Sequence, residues 1–502
     1  MLLKRNLKEV EERKLLAKKD FFFIKNRWIG LIVYPFFMLF ILLTANGQAL
    51  KDPRLNALLG FEFDSPPLAT NDIQEPLDLY YQNLSDILKA ILLENDERYE
   101  QLEKQKEVRL SQLEQFKSED NPWYGFVKAE IKLQWAFVNF KFGHDWDAFW
   151  GLRSASKAIN KQNRDFPSFA PNKRTLGVLN IIFGNVPSKN QWLMKLFGLK
   201  GNVLEGIDQL ENIGEAYEDI SLEAKLILSM VQVYLLEDYE QADQQFSDLL
   251  TDYNLPLVQY IGALVQLKAH DAAKARELLV NSPVQFPFHD YLLAETYFQA
   301  QVYDTAISLY EKFLNEFKGN SYVKDAYLKI GMSYGLSDDL DKYESYLQLA
   351  RANGNTQSEI DKNANKLIQD LPNQRPLALR IRYAIDGGFY DLAKQLIVAH
   401  EATALSRYEQ LELTYRKARV NHLSGNSEEA LQLYRSVIEN ADLISETYYG
   451  PNSFLQAGYL LRDSGNKEEA LMYFEEVLKL KKHPYKASLD VKAKIAIERL
   501  DR

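Results

Sequence analysis

From about residue 205 onward, apolar residues return at helical spacing in short runs broken by Gly, Asn and Asp. The pattern is sharpest near the carboxyl end. There Ser424-Gly425-Asn426-Ser427-Glu428-Glu429-Ala430-Leu431-Gln432-Leu433-Tyr434 recurs forty residues on as Ser464-Gly465-Asn466-Lys467-Glu468-Glu469-Ala470-Leu471-Met472-Tyr473-Phe474. In each copy a small residue lies twelve positions before the Ala (Ala418, Gly458) and an aromatic ring lies four after it (Tyr434, Phe474). Two helices can then meet closely while a ring plugs the joint. Repeats of this length build solenoids. With Ala marking the second helix of each pair, the units fall at Ala242, Ala275, Ala306, Ala393, Ala430 and Ala470, with Tyr343 in the equivalent place of a degenerate unit. One unit, with Ala294, Tyr297, Ala306, Tyr310 and Phe313, repeats both offsets, and another has Tyr327, Gly331 and Tyr334 in its first helix. The marker spacings of 33, 31, 37, 50, 37 and 40 predict irregular loops and uneven curvature.

Upstream the pattern changes character. Leu77 to Lys117 contains no Pro or Gly and predicts one long helix whose charged later half is solvated. Asn121-Pro122 starts a buried aromatic helix over Trp123 to Phe142, Gly143-His144-Asp145 breaks it, and Trp146 to Asn163 returns. Leu176 to Asn202 then predicts a hairpin of two short, strongly apolar helices. Each is too short to span a bilayer, so the hairpin either packs into the array or touches a lipid surface or partner. Residues 50–76, with Pro53, Pro66, Pro67 and Pro76, read as an extended tether.

The amino terminus adds a membrane-directed signal. Nine basic residues against four acidic ones occupy the first 27 positions, and residues 28–49 are uncharged. Trp28 to Ala45, at 18 residues, is about the minimum that crosses a hydrocarbon core, and the basic lead would hold the amino terminus in the cytosol. Gly47 and Ala49 form a small-x-small pattern that permits cleavage after Ala49. Two readings stand: a removed secretory signal, or a retained anchor giving membrane association through residues 28–45. The expected division is a basic lead with signal or anchor over 1–49, a linker over 50–76, an atypical helical domain over 77–204 and the repeat array over 205–502.

Charge and composition narrow the function. Subtracting the leader's +5 from the whole-chain −10 leaves −15 for the remainder, a balance that repels nucleic acid and anionic membrane surfaces. The chain has no cysteine, which excludes disulfides, thiolate metal sites and a Cys nucleophile. None of the six His pairs with another at i, i+4, and His144, Asp145 and Asp147 read as helix-start chemistry rather than metal ligands. Gly198-Leu199-Lys200-Gly201 lacks the ending of a phosphate loop, and no Gly-x-Ser-x-Gly elbow occurs. The expectation is a protein without catalytic residues, cofactor or metal.

The twelve- and four-residue offsets resemble the tetratricopeptide repeat over roughly residues 205–500, most clearly in the last two units. That resemblance implies an all-α fold, an α-solenoid of helical hairpins wound into a superhelix with a concave groove, and binding of a protein partner rather than chemistry. Three stripes at helical spacing could line the groove: Phe288, Tyr291, Glu295 and Phe298; Tyr415, Arg419 and His422; and Asn452, Leu455, Tyr459 and Arg462. Tyr and Arg suit binding hot spots, yet these rings could equally cover neighbouring helices. Pro122 to Leu210, with "FGLKGNVLEGIDQL", resembles the amino-terminal half of secreted tetratricopeptide proteins of Bacteroidetes-type bacteria. The implied role is a scaffold in the bacterial cell envelope, periplasmic or membrane-anchored. The alternative is a carbohydrate-capturing subunit of an outer-membrane nutrient importer, for which exposed Trp platforms are expected. Trp123, Trp135, Trp146, Trp150 and Trp192 instead fall in apolar helices.

Overall fold

The Ala residues that mark the second helices are all fully enclosed, from Ala242 to Ala470. At Gly458 a Cβ would stand 2.5 Å from the Phe474 ring, so the small residue and the plugging ring meet as the offsets require. The computed structural model describes residues 52–94, 96–440 and 447–502. The leader, its cleavage point and the 28–45 anchor lie outside the described residues. Among those described, no helix is long and apolar enough to cross a membrane.

The described residues form α-helices with no β-strand. Six precede the atypical region's apolar segment: α1 Pro53–Leu59, α2 Pro66–Ala69, α3 Pro76–Leu93, α4 Asp96–Leu113, α5 Pro122–Lys141 and α6 Asp145–Asp165. Next come α7 Asn172–Gly184, α8 Ser188–Leu196 and α9 Val203–Glu211. The hairpins that follow are α10 Glu218–Val231 with α11 Tyr239–Asp252, α12 Pro256–Lys268 with α13 Ala272–Val280, α14 Pro287–Gln299 with α15 Tyr303–Glu316, and α16 Val323–Gly335 with α17 Leu340–Ala352. After α18 Glu359–Asp370 the pairing resumes with α19 Pro376–Asp386 and α20 Tyr390–Glu401, α21 Arg407–Leu423 and α22 Ser427–Ile438, and α23 Tyr449–Asp463 and α24 Lys467–Lys479. The cap is α25 Lys486–Leu500.

Three expectations are corrected. The 50–76 tether is folded: Pro53 and Pro66 open helices α1 and α2, where their missing N–H costs nothing, and Leu55, Leu58 and Leu59 are buried. Phe61 reaches Phe286 at 4.9 Å, and Arg54 bridges Asp52 at 2.6 Å and Glu75 at 2.7 Å. The long helix is divided at Glu94, which takes a left-handed conformation because its carboxylate caps a distant loop, accepting from the Ser321 amide at 2.9 Å and pairing with Lys141 at 2.6 Å. The apolar segment does not fold back on itself. Gly177 and Gly206 let α7 and α9 approach until a Cβ at Gly206 would sit 2.6 Å from the Gly177 carbonyl oxygen, so α7 pairs with α9 and α8 is left outside. The boundary expected between 204 and 205 therefore cuts through α9.

The array also closes. The terminal helix α25 returns to α9 and to the π-helical turn Gln232–Leu236 at the end of α10. Lys492 pairs with Glu237, Arg499 with Asp238 at 3.2 Å, and Arg502 with Asp208 at 3.1 Å. A second closure joins the α12–α13 corner to the α19–α20 corner, where the Ala272 amide donates to the Gly387 carbonyl at 3.1 Å.

Candidate partner-binding lumen

The stripe on α14 turns into the fold. Phe288 packs on Phe317 and Tyr322 at 4.8 and 5.2 Å, and Phe298 meets Tyr383 edge-on at 4.7 Å. The Tyr291 hydroxyl donates to Asp325 at 2.6 Å, while Glu295 pairs with Lys329 at 2.6 Å and accepts from the Tyr310 hydroxyl. The α21 stripe behaves alike. Asn452 donates to the Tyr415 hydroxyl at 2.6 Å, Arg419 donates to Gln456 at 2.6 Å, and His422 Nδ1 lies 3.3 Å from the Tyr434 hydroxyl. On α23, Leu455 is buried, Tyr459 stands 5.4 Å from Phe474, and Arg462 covers the Tyr459 ring at 5.0 Å.

Phe288, Tyr291, Phe298, Tyr415, Arg419, Asn452, Leu455 and Tyr459 are thus buried, and Glu295, His422 and Arg462 keep partial access. As an open docking surface these eleven positions are corrected: in this closed array their rings cover neighbouring helices and their polar ends bond to adjacent repeats. The physical reason is mostly the packing of neighbouring hairpins, which covers Phe288, Tyr291, Tyr415 and Tyr459, while Phe298 and Arg419 also meet the distant Tyr383 and His270.

Those polar ends form one network across the closure. Gln456, bonded to Arg419, donates to Glu237 at 2.7 Å, and Glu237 also pairs with Lys492. Burial alone would raise the Glu237 carboxyl, but Lys492, Lys268 and Arg419 outweigh it and hold it far below the usual carboxylate range. Arg419 donates to His270 Nε2 at 3.3 Å, and His270 Nδ1 donates to the Asp386 carbonyl at 3.2 Å. That pattern needs a neutral imidazole. Burial, reinforced by Arg419, pushes His270 down to about 4 and His422 down to about 3. Lys268 is pushed down to about 8, first by burial and then by Lys492.

Beside this network several charged and aromatic side chains stay open to water. Arg382 on α19 is faced by Tyr383, Asp386, Tyr485 and Tyr449, yet its side chain stays 41% exposed and that of Asp386 39%. Arg416 on α21 continues this group, 5.6 Å from the Tyr449 ring and 3.0 Å from Glu412, with its Nε buried and unbonded. Tyr408, 6.1 Å from Tyr449, and Tyr485, which carries Lys366 over its ring at 5.1 Å, are both exposed. Sequence reasoning missed this group. Its signal was the i, i+4, i+8 series Tyr408, Glu412, Arg416, about 100° around α21 from the face with Tyr415.

The family comparison fits this geometry. Residues 290–320 match the tetratricopeptide repeat model. The match spans most of α14, all of α15 and the loop after it, the tetratricopeptide unit that holds Ala294 and Ala306. The search of curated proteins finds no match. Among solved structures, similarity extends to the APC/C hetero-tetramer Cut9–Hcn1 at 14% identity, over 89% of this chain and 95% of that one, with a TM-score of 0.24. A monomeric IFIT1 mutant with m7Gppp-AAAA aligns at 14% identity over 81% of this chain and 72% of that one, TM-score 0.27. Aspartyl phosphate phosphatase F from Bacillus subtilis aligns at 14% identity over 82% and 95%, TM-score 0.20. Values this low carry nothing about ligands. A tetratricopeptide-type helical array is typical of protein–protein interaction and not of catalysis.

Proposed function

We propose that this chain is a non-enzymatic scaffold of the bacterial cell envelope whose closed tetratricopeptide array receives an extended, acidic segment of a partner protein in the hollow bounded by Arg382, Arg416, Tyr408 and Tyr485. The observation that carries the reading is Arg382: it lies 5.4 Å from the Tyr383 ring yet stays solvated, and its pairing with Asp386 is long at 3.6 Å with both partners more than a third exposed. Such a pair is worth little in water, so an incoming carboxylate can displace it, while exposed tyrosines offer broad contact at low entropic cost. Export is supported by the uncharged run at 28–49 behind its basic lead and by the likeness of residues 122–210 to secreted tetratricopeptide proteins.

The test is a photocrosslinking residue at position 408, used on the full chain in the envelope fraction. One defined partner should be trapped, and Arg382→Ala with Tyr485→Ala should cut its recovery by about tenfold or more while helical circular dichroism is unchanged. Equal recovery by the variant would sink the lumen as the binding site. Amino-terminal sequencing of the mature protein tests export separately.

A further inference from the structure

Residues 141–200 carry ten Lys or Arg, three Asp and no Glu, a net charge of +7. Since residues 50–502 total −15, the remainder of that stretch holds −22 (−15 minus +7). Lys141 and Arg174 are buried in ion pairs, and two neighbouring helices with the turn after the second expose six of the others. On α6, Arg153, Lys157, Lys161 and Arg164 are exposed at i, i+4, i+8 and i+11, a single helix face. On α8 and just beyond it, Lys195 and Lys200 are exposed beside two apolar side chains left in water, Trp192 at 55% and Leu196 at 66%. The helices are tied together: Arg153 donates to the Phe197 carbonyl at 3.3 Å, and the Phe197 ring packs on Phe149 and Trp150 at 4.9 and 5.7 Å. The apolar knob and the basic stripe therefore move as one surface.

The packing explains why the knob is bare. Glycine contact pairs α7 with α9 and leaves α8 outside the pair, so Trp192 and Leu196 gain no cover from the array. Exposed Trp and Leu on a short helix, flanked by Lys, suit entry into the headgroup region, where an indole ring is favoured and cations meet lipid phosphates. We propose that this surface docks on an anionic lipid bilayer, with Trp192 and Leu196 inserted at headgroup depth and the α6 stripe lying along the phosphates. A polynucleotide would use the stripe but gain nothing from Leu196. The remaining −22 is repelled by the same bilayer, which favours this surface as the point of contact. The whole-chain charge, which reads as repelling anionic membranes, conceals this local reversal.

The chain has no cysteine, so Leu196→Cys on the full protein carries a single environment-sensitive fluorophore, and Val398→Cys, 67% exposed on α20, carries the control. The probe is a vesicle of phosphatidylcholine and phosphatidylglycerol containing a nitroxide lipid. Quenching is expected at position 196 and not at 398, weaker on vesicles without phosphatidylglycerol and weaker at high salt. Each of Lys157→Glu, Lys161→Glu and Arg164→Glu should reduce the vesicle affinity read at 196 by about fivefold or more. Unchanged helical circular dichroism separates this from misfolding. Equal quenching at both positions, no quenching at 196, indifference to the three charge reversals, or a response at 196 to a single-stranded oligonucleotide in place of vesicles would each overturn the proposal.

Discussion

Gly458 and Gly425 are glycines for different reasons, and the difference is measurable. A Cβ on Gly458 would lie 2.5 and 2.7 Å from two carbons of the Phe474 ring, which is itself fully buried and has nowhere to retreat. Gly458→Ala should lower stability by about 1–3 kcal/mol, more than the gain of about 1 kcal/mol that Ala brings to a helix, and the melting temperature should fall. Gly425 has open space around it and φ of +83°. Gly425→Ala should cost about 1–2 kcal/mol through the backbone alone, with no change in core packing by near-ultraviolet circular dichroism. The buried histidines set a pH dependence. His270 and His422 have folded-state values depressed to about 4 and about 3, below the ordinary 6.5. Between those limits the unfolded chain binds protons that the folded one refuses, so their contribution is complete above pH 6.5 and is lost as pH falls toward 4. Denaturant midpoints of the wild type against His270→Gln with His422→Gln should show the slope between pH 4 and 6.5 flattening in the variant. An unaltered slope would show that both imidazoles charge freely in the fold. Glu223 acts oppositely, since burial raises it to about 7, which is why the comparison with the variant is needed.

At the scale of elements, helices were legible wherever one residue's neighbours in sequence are also its neighbours in space. The α21–α22 and α23–α24 hairpins follow directly from Ala418, Ala430, Gly458 and Ala470, because a small residue and a ring twelve and four positions away meet across one loop. The misreadings share a cause, a distant contact overriding local preference. Proline-marked residues 53–69 look extended until α12 and Phe286 supply a surface to bury Leu58 and Phe61. Leu58→Ala should therefore cost about 2–5 kcal/mol, read as a shift in the denaturant midpoint, whereas a solvated tether would register nothing. Glu94 ends α3 for a loop more than 200 residues away. Residues of the lumen were half legible. Their types were right for an inner wall, but Tyr415 and Arg419 are buried while Tyr408 is exposed and Arg416 keeps only partial access, and the spacing on α21 is nearly the same for both.

For the molecule as a whole, the decisive feature is the return of α25 to the start of the array. Lys492 and Glu237 are both largely withdrawn from water, so removing one partner leaves the other charge uncompensated, a loss of about 3–5 kcal/mol. Lys492→Glu should break the closure and raise the radius of gyration in small-angle scattering, with helical content retained because each hairpin keeps its own core. A scattering curve identical to the wild type would show that Arg499 and Arg502 suffice.

Short-range chemistry could be read along the chain: the all-α class, the hairpin unit, the small residues and rings that lock each pair, and the absence of metal-binding or nucleophile motifs. These depend on contacts within about one repeat, which periodicity encodes. Closure, the bonds from Arg419 and Gln456 to His270 and Glu237, and the cover of Phe298 by Tyr383 depend on which distant hairpins come to rest against each other. Small differences in curvature accumulated along the array settle that meeting, and no single local pattern records it.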